Sequence, residues 1–175
     1  MKSLACTALI LTALILSVTG CKNSDENPDP NAISGKITNQ SECKNFKSAE
    51  LRFTEPDTFS CALFSYDEAA HKLILNHVNS GFNCCPEEIS CEVSLKNDTI
   101  LIIETEKMQG CNCNCLFDLE IEVNNVVKDL YQVKFVEPYA LEMTPLIFQI
   151  NLNENSQGEY CVVRKGYPWG GEKQF

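Results

Sequence analysis

Alternating hydrophobic and polar residues dominate the chain after residue 33 and predict a protein built from short β-strands. In segment 117–123, an apolar residue at every odd position alternates with an acidic residue at every even position. Successive side chains of a strand point to opposite faces, so this pattern gives one buried and one hydrated face. The same period of two residues recurs at 131–135 and 146–152. The three segments predict strands of an antiparallel sheet.

Shorter apolar runs add further strands, and no segment shows a sustained helical period. These strands are predicted at 51–53, 61–66, 71–78, 89–95, 99–103 and 160–163. The turn residues Lys96, Asn97 and Asp98 predict a hairpin between two of them. At most a short helical turn is expected, at 67–70 or 125–129. Eight or more strands without intervening helices predict an all-β fold, an antiparallel two-sheet sandwich.

One stretch resembles a known type of sandwich. The residues from Phe117 through Asn125 to Tyr131, Gln132 and Val133 are similar to the late strands of immunoglobulin-like domains. The resemblance implies an immunoglobulin-like arrangement of the sandwich. The cysteine that accompanies a tyrosine corner in such domains is absent, which leaves the detailed topology open.

The N-terminus has the pattern of a secretory signal. Lys2 precedes an apolar run over residues 4–16, and small residues then lead to Cys21. The run is about 13 residues long, whereas a membrane span needs about 20. The residues before Cys21 resemble the lipobox of bacterial lipoproteins. The resemblance implies that residues 1–20 are removed as a signal peptide and that Cys21 is acylated, with palmitate among the expected acyl groups.

The mature chain is expected to consist of a tether and a single domain. Residues 21–32 are acidic, contain two prolines and lack large apolar side chains, so they predict a disordered tether. Its acidic stretch is similar to export signals of surface-exposed Bacteroidetes lipoproteins, and an ordinary linker is equally compatible. Residues 33–175 are expected to form one β-sandwich domain. The predicted location is the cell envelope, lipid-anchored at the outer membrane and either periplasmic or surface-exposed.

The charge of the chain excludes one class of partner. The formal net charge is −10, and removal of Lys2 with the signal makes it −11. An acidic surface repels nucleic acid and anionic lipid head groups. Attachment to the membrane is therefore expected through the lipid, since two acyl chains anchor a protein stably.

Cysteine is unusually frequent, with eleven residues in the chain and nine after Cys21. Six of the nine fall in two short segments and are disulfide candidates: Cys84, Cys85, Cys91, Cys111, Cys113 and Cys115. Export permits disulfides, and cross-links between the two segments are expected to be less strained than links within one. The alternatives are a zinc or copper site formed by Cys84, Cys85, Cys111, Cys113 and Cys115, or a redox-active thiol. An odd count leaves at least one cysteine outside intrachain disulfides.

The remaining three cysteines and the titratable residues suggest no catalytic site. Cys43 lies in a polar stretch, where it would either staple the start of the domain or pack in the core. Cys61 and Cys161 lie in predicted strands and are expected to pack as small hydrophobes. His71 and His77 would share a strand face, most simply as satisfied histidines. The Glu87–Glu88 and Glu104/Glu106 pairs are expected on solvated faces. No hydrolase, metalloprotease or nucleotide-binding motif is present, so no catalytic residue is assigned.

A further resemblance covers residues 73–175. The combination of 82–86, 111–119, 161–164 and 167–170 is similar to a group of cysteine-rich Bacteroidetes lipoproteins. That group carries no reaction that transfers to this chain. The expected function is non-catalytic: a structural or binding module for an envelope protein, a peptide or a glycan. No cofactor is expected unless the cysteines bind zinc or copper.

Overall fold

The computed structural model describes Asp29 and residues 31–44, 58–108 and 110–169. The predicted signal peptide, the lipidation site Cys21, most of the tether and the strand predicted at 51–53 lie outside these residues. The described residues contain no helix with the length and hydrophobicity of a membrane span.

Nine strands form in the described part of the chain, and none of its residues is helical. The strands are β1 (Ser34–Gln40), β2 (Phe59–Asp67), β3 (Lys72–Asn83), β4 (Pro86–Lys96), β5 (Thr99–Met108), β6 (Asn114–Asn124), β7 (Leu130–Val136), β8 (Ile147–Asn151) and β9 (Gln157–Val163). The predicted all-β class is therefore confirmed. The segments 67–70 and 125–129, proposed as short helical turns, are non-helical connections.

Two sheets face each other as a sandwich. The first has the strand order β1-β6-β3-β2-β9, and the second has the order β4-β5-β7-β8. The predicted hairpin is β4 and β5, joined at Asn97 and Asp98, which both have positive φ as a two-residue type I′ turn requires. One pair departs from the antiparallel expectation, since β5 and β7 are parallel. The chain crosses to the first sheet as β6 and returns, so both strands run in the same direction.

The alternating segments identified from the sequence form one core between the sheets. The odd positions of 117–123 and of 131–135 and the even positions of 146–152 are all buried, between 0% and 7% exposed. They pack with Leu75 of β3 and Ile102 of β5 in a single cluster. This core surrounds the polar residues described below.

An irregularity in β3 determines which polar side chains enter the core. The pairing of β3 with β6 shifts register between His77 and Ser80, and Asn79 there has a φ of 62°. In a regular strand, residues three apart point to opposite faces, whereas an extra residue in a bulge brings both to the same face. His77 and Ser80 consequently both reach Glu104 on the opposite sheet. Asparagine tolerates the positive φ that this bend requires.

Candidate functional site

Two disulfides join the two cysteine-rich segments. Cys84 is bonded to Cys113 with a Cα–Cα distance of 5.5 Å, and Cys85 is bonded to Cys111 with a Cα–Cα distance of 6.0 Å. The pairing of β3 with β6 ends at Asn83 opposite Asn114, so the residues that follow β3 lie beside those that precede β6. Cys84 and Cys85 therefore each have a partner in the adjacent segment that precedes β6.

Two of the six candidate cysteines behave differently from the other four. Cys115 lies inside β6 and points into the core, where it is bonded to Cys43 with a Cα–Cα distance of 5.7 Å. Cys91 of β4 is a free thiol, the only one among the described residues. Burial, with the negative charge of Glu104, raises the pKa of the Cys91 thiol to about 11. Cys91 thus does not take part in the cross-links for which it was a candidate, and its thiol is protonated at neutral pH.

The expectation that Cys61 and Cys161 pack as free hydrophobes is wrong, whereas the staple proposed for Cys43 is present. Cys61 and Cys161 lie directly opposite each other on β2 and β9 and form a disulfide with a Cα–Cα distance of 4.0 Å. Cys43 is bonded to Cys115. The pairing of β2 with β9 links residues 100 positions apart, a relation that local sequence patterns do not contain.

A cluster of polar side chains lies inside the sandwich, and its members are between 0% and 4% exposed. We call it the buried polar cluster: Ser60, His77, Ser80, Glu104, Glu137 and Arg164. Buried charged groups are rare unless they are paired and hydrogen-bonded. A set of two carboxylates, one guanidinium and one imidazole is therefore the most distinctive feature of this core.

His77 is the central residue of the buried polar cluster. Its Nδ1 lies 2.7 Å from Oε1 of Glu104, and its Nε2 lies 2.9 Å from Oγ of Ser60. Ser80 donates from Oγ to Oε2 of Glu104 at 2.8 Å. Burial lowers the pKa of His77, but the negative charges of Glu104 and Glu137 outweigh it, so the pKa is raised above its usual value. The imidazole therefore favours its protonated form between two carboxylates.

Arg164 and Glu137 complete the buried polar cluster from two connections outside the strands. Nη2 of Arg164 donates to Oε2 of Glu137, and Nη1 donates to the carbonyl of Thr144 at 2.5 Å. Oε1 of Glu137 lies 3.6 Å from Nε2 of His77 and makes no hydrogen bond within the described residues. Burial raises the pKa of Glu137, although His77 and Arg164 act in the opposite direction. Two basic side chains, His77 and Arg164, thus lie among two carboxyl groups in the core.

The order Ser60, His77, Glu104 matches the arrangement of a nucleophile, a general base and the carboxylate that orients it. Solvent access to these three groups is low. Ser60 and His77 are 0% exposed and Glu104 is 2% exposed. Nη2 of Arg164 lies 3.5 Å from Oγ of Ser60. Among the described residues, the Ser60 hydroxyl is thus shielded from solvent.

The last described residues pack over the bulged part of β3. Nε1 of Trp169 donates to the carbonyl of Asn79 at 2.8 Å, and the guanidinium of Arg164 lies 5.6 Å from the centre of the Trp169 ring. A Cβ atom on Gly81 would lie 2.6 Å from Cη2 of Trp169. Tyr167 accepts a hydrogen bond from the backbone N–H of Asn114 at 2.8 Å. The connection after β9 thus encloses one side of the buried polar cluster.

Part of this cluster was overlooked in the sequence. Glu104 was expected on a solvated face, but it is buried, and His71 lies exposed in a turn with a φ of 50° rather than on a strand face with His77. A signal for Glu104 existed, since it follows Ile100 and Ile102 at the core-facing positions of β5. His77 is a satisfied core histidine, as the simpler interpretation had it.

Two groups of side chains have sulfur and oxygen atoms close enough to share a metal ion. The ligand atoms of Cys84, Cys85 and Cys111 all lie within 4.8 Å of one another. The same holds for Cys61, Glu159 and Cys161. Of the cysteines in the predicted metal alternative, Cys115 lies apart, because it is bonded to Cys43 in the core.

Comparison with family models, with curated proteins and with solved structures gives no significant match. What the site can do chemically is therefore inferred from the positions of its own residues.

Proposed function

We propose that this chain is an exported, lipid-anchored β-sandwich that acts at the cell envelope as a non-catalytic structural or binding module. The observation that carries the proposal is the disulfide framework. Every described cysteine except Cys91 is in a disulfide, and the four bridges link positions that are 26 to 100 residues apart. Disulfides persist in oxidising compartments outside the cytosol, which agrees with the expected removal of residues 1–20 as a signal peptide.

The buried polar cluster supports a structural role for Ser60 rather than a catalytic one. Each hydrogen-bonding partner of His77 and Ser60 is itself buried, and Arg164 lies beside the Ser60 hydroxyl. Buried polar networks of this kind can specify a unique packing of the core. The partner that such a module binds is an envelope protein, a peptide or a glycan.

Membrane fractionation tests the anchor. The wild-type chain is expected in the membrane fraction, and the Cys21→Ala variant is expected to leave it. A control variant, Cys91→Ser, keeps Cys21 and should stay membrane-bound. A Cys21→Ala chain that remains membrane-bound with its signal cleaved would show that the lipid anchor is wrong.

A fluorophosphonate probe that reacts with activated serines tests the non-catalytic assignment. No labelling that depends on Ser60 is expected in the native chain, with Ser60→Ala as the matched control. Covalent labelling at Ser60, confirmed by peptide mapping, would identify a hydrolase and refute the assignment.

A further inference from the structure

We propose that the two bridges between the cysteine-rich segments form a reducible pair and that, once reduced, their four sulfurs bind one thiophilic metal ion, Zn²⁺ or Cu⁺. We call these residues the four-cysteine cluster: Cys84, Cys85, Cys111 and Cys113. This site goes beyond the structural role of the disulfides and does not depend on the lipid anchor.

The distances between the sulfurs suit a tetrahedral thiolate site. The sulfurs of Cys84, Cys85 and Cys111 lie within 4.8 Å of one another, and the sulfur of Cys113 is bonded to that of Cys84. Zinc–sulfur bonds of about 2.3 Å in a tetrahedron place the sulfurs about 3.8 Å apart. Cys84, Cys85 and Cys111 thus supply three ligands, and the proposal takes the fourth from Cys113, whose side chain must rotate after reduction to bring its sulfur into the set. Thiolates select Zn²⁺ and Cu⁺ over harder ions.

The backbone that holds the four sulfurs together does not depend on the two bridges. The backbone N–H of Cys84 donates to the carbonyl of Cys113 at 3.0 Å, and Nδ2 of Asn83 donates to the carbonyl of Cys111 at 2.8 Å. The pairing of β3 with β6 extends to Asn83 opposite Asn114. Reduction removes two covalent links and leaves these hydrogen bonds, so the thiols stay adjacent.

Exposure separates these two bridges from the other two. Cys111 is exposed, and Cys84, Cys85 and Cys113 are half-buried. Each remaining bridge has one buried sulfur-bearing residue, since Cys61 is 0% exposed and Cys115 is 3% exposed, while their partners Cys161 and Cys43 are half-buried. Thiol–disulfide exchange requires that the attacking sulfur reach the bridge. A dithiol reductant should therefore open the four-cysteine cluster first and leave the bridges that hold the core.

The reaction balances with two equivalents of a dithiol reductant. Each bridge gains two electrons and two protons and becomes two thiols, while each dithiol is oxidised to a disulfide. Metal binding then replaces thiol protons, because the thiolate is the ligand, and up to four protons are released. Two equivalents of a disulfide oxidant would accept four electrons from the four thiolates, so the bridges re-form and the metal is released.

The test uses the full chain purified in detergent under anaerobic conditions. A phosphine reductant, which is itself oxidised to the phosphine oxide and leaves no competing thiol, is added until mass spectrometry finds the four-cysteine cluster reduced and the other two bridges intact. Zn²⁺ and Cu⁺ are then titrated in separate arms against a chromophoric chelator. Co²⁺ serves as a spectroscopic probe, because its thiolate complexes show sulfur-to-metal charge-transfer bands.

The reduced chain is expected to bind one metal ion per chain, and the oxidised chain none. The Cys84→Ser/Cys113→Ser variant should bind at least about 100-fold more weakly, which is the most that losing an outer hydrogen-bond partner of a ligand costs. Cys91→Ser, the matched control outside the cluster, should bind like the wild type. Cys85→Ser/Cys111→Ser is the second variant if the first does not fold.

Three results would overturn the site. They are a reduced cluster that takes up neither metal, binding that survives in a folded double variant, and uptake that begins only when the core bridges are also reduced. None of these measurements depends on whether Cys21 is acylated, so a failure here is distinguishable from a failure of the proposed anchor.

Discussion

Removing the guanidinium of Arg164 while leaving its carboxylate partner should destabilise the fold strongly. The side chain of Arg164 is 0% exposed and that of Glu137 is 3% exposed. Breaking a buried ion pair by removing one partner typically costs about 3–5 kcal/mol, because the remaining charge is uncompensated. Arg164→Met also removes the donor to the Thr144 carbonyl, and an unpaired buried polar group costs about 1–3 kcal/mol. We expect a loss near the upper end of the first range.

Urea denaturation of the purified chain measures this loss. With a slope of about 2 kcal/mol per molar urea, a loss of 3–5 kcal/mol lowers the midpoint by about 1.5–2.5 M. Total stabilities of about 5–15 kcal/mol leave the variant folded or close to the limit. Lys107→Met is the matched control, since it breaks the exposed pair with Glu87 and should cost less than about 1 kcal/mol.

A double variant distinguishes the free-energy cost of leaving the Glu137 carboxylate without its partner from the cost of the lost packing. Glu137→Leu/Arg164→Met replaces the pair by apolar side chains of similar size, and such replacements are often neutral or stabilising. The double variant should recover about 1–3 kcal/mol relative to Arg164→Met, within the usual range of coupling between contacting residues. If Arg164→Met costs less than about 1 kcal/mol, or if the double variant is as unstable as the sum of the two singles, the charge-pair reasoning fails.

Three further predictions concern the same core. Because the pKa of His77 is raised above 6.5 in the folded protein, its contribution to stability is fully present below pH 6.5 and is lost as the pH rises through the folded-state pKa. The unfolding free energy in urea should therefore fall above pH 6.5, and an unchanged slope in His77→Gln would contradict this. Gly81→Ala places a Cβ atom 2.6 Å from Cη2 of Trp169, which is 1% exposed. Overpacking of this kind costs about 1–3 kcal/mol, measured by urea denaturation, and a fully stable variant would show that Trp169 can move. Cys61→Ala/Cys161→Ala opens a bridge between residues 100 positions apart and should lower the unfolding free energy by about 2–5 kcal/mol. A variant with unchanged stability in non-reducing urea would mean that this bridge is not formed.

The strands could be predicted from sequence because their signal is local. A strand with one buried face repeats every two residues, and segment 117–123 shows that repeat without interruption. The hairpin of β4 and β5 was equally local, since Asn97 and Asp98 both accept the positive φ of the turn. Without long-range information, these signals were enough for the all-β class and the two-sheet sandwich.

The proximity of the two cysteine-rich segments was also expected from their spacing, but the individual bonds were not. Cys115 is only two residues from Cys113, yet it points into the core and is bonded to Cys43. Cys61 and Cys161 meet because β9 lies next to β2 at the edge of the first sheet. Which strands become neighbours depends on the burial of the whole chain, so no short segment contains that information.

The buried polar cluster was decided almost entirely by tertiary structure. Two of its members had a local sequence signal. Glu104 shares the core-facing phase of β5, and His77 follows Leu73 and Leu75 at the core-facing positions of β3. The bulge at Asn79 changes which residues of β3 face the core. As a result, Ser80 reaches the same carboxylate, that of Glu104, as His77 does. Glu137 and Arg164 enter from irregular connections. The hydrophobic period of the sequence predicts which face of a regular strand a side chain lies on. The prediction fails at a bulge or in a loop, because the orientation of the side chain there depends on partners distant in the chain.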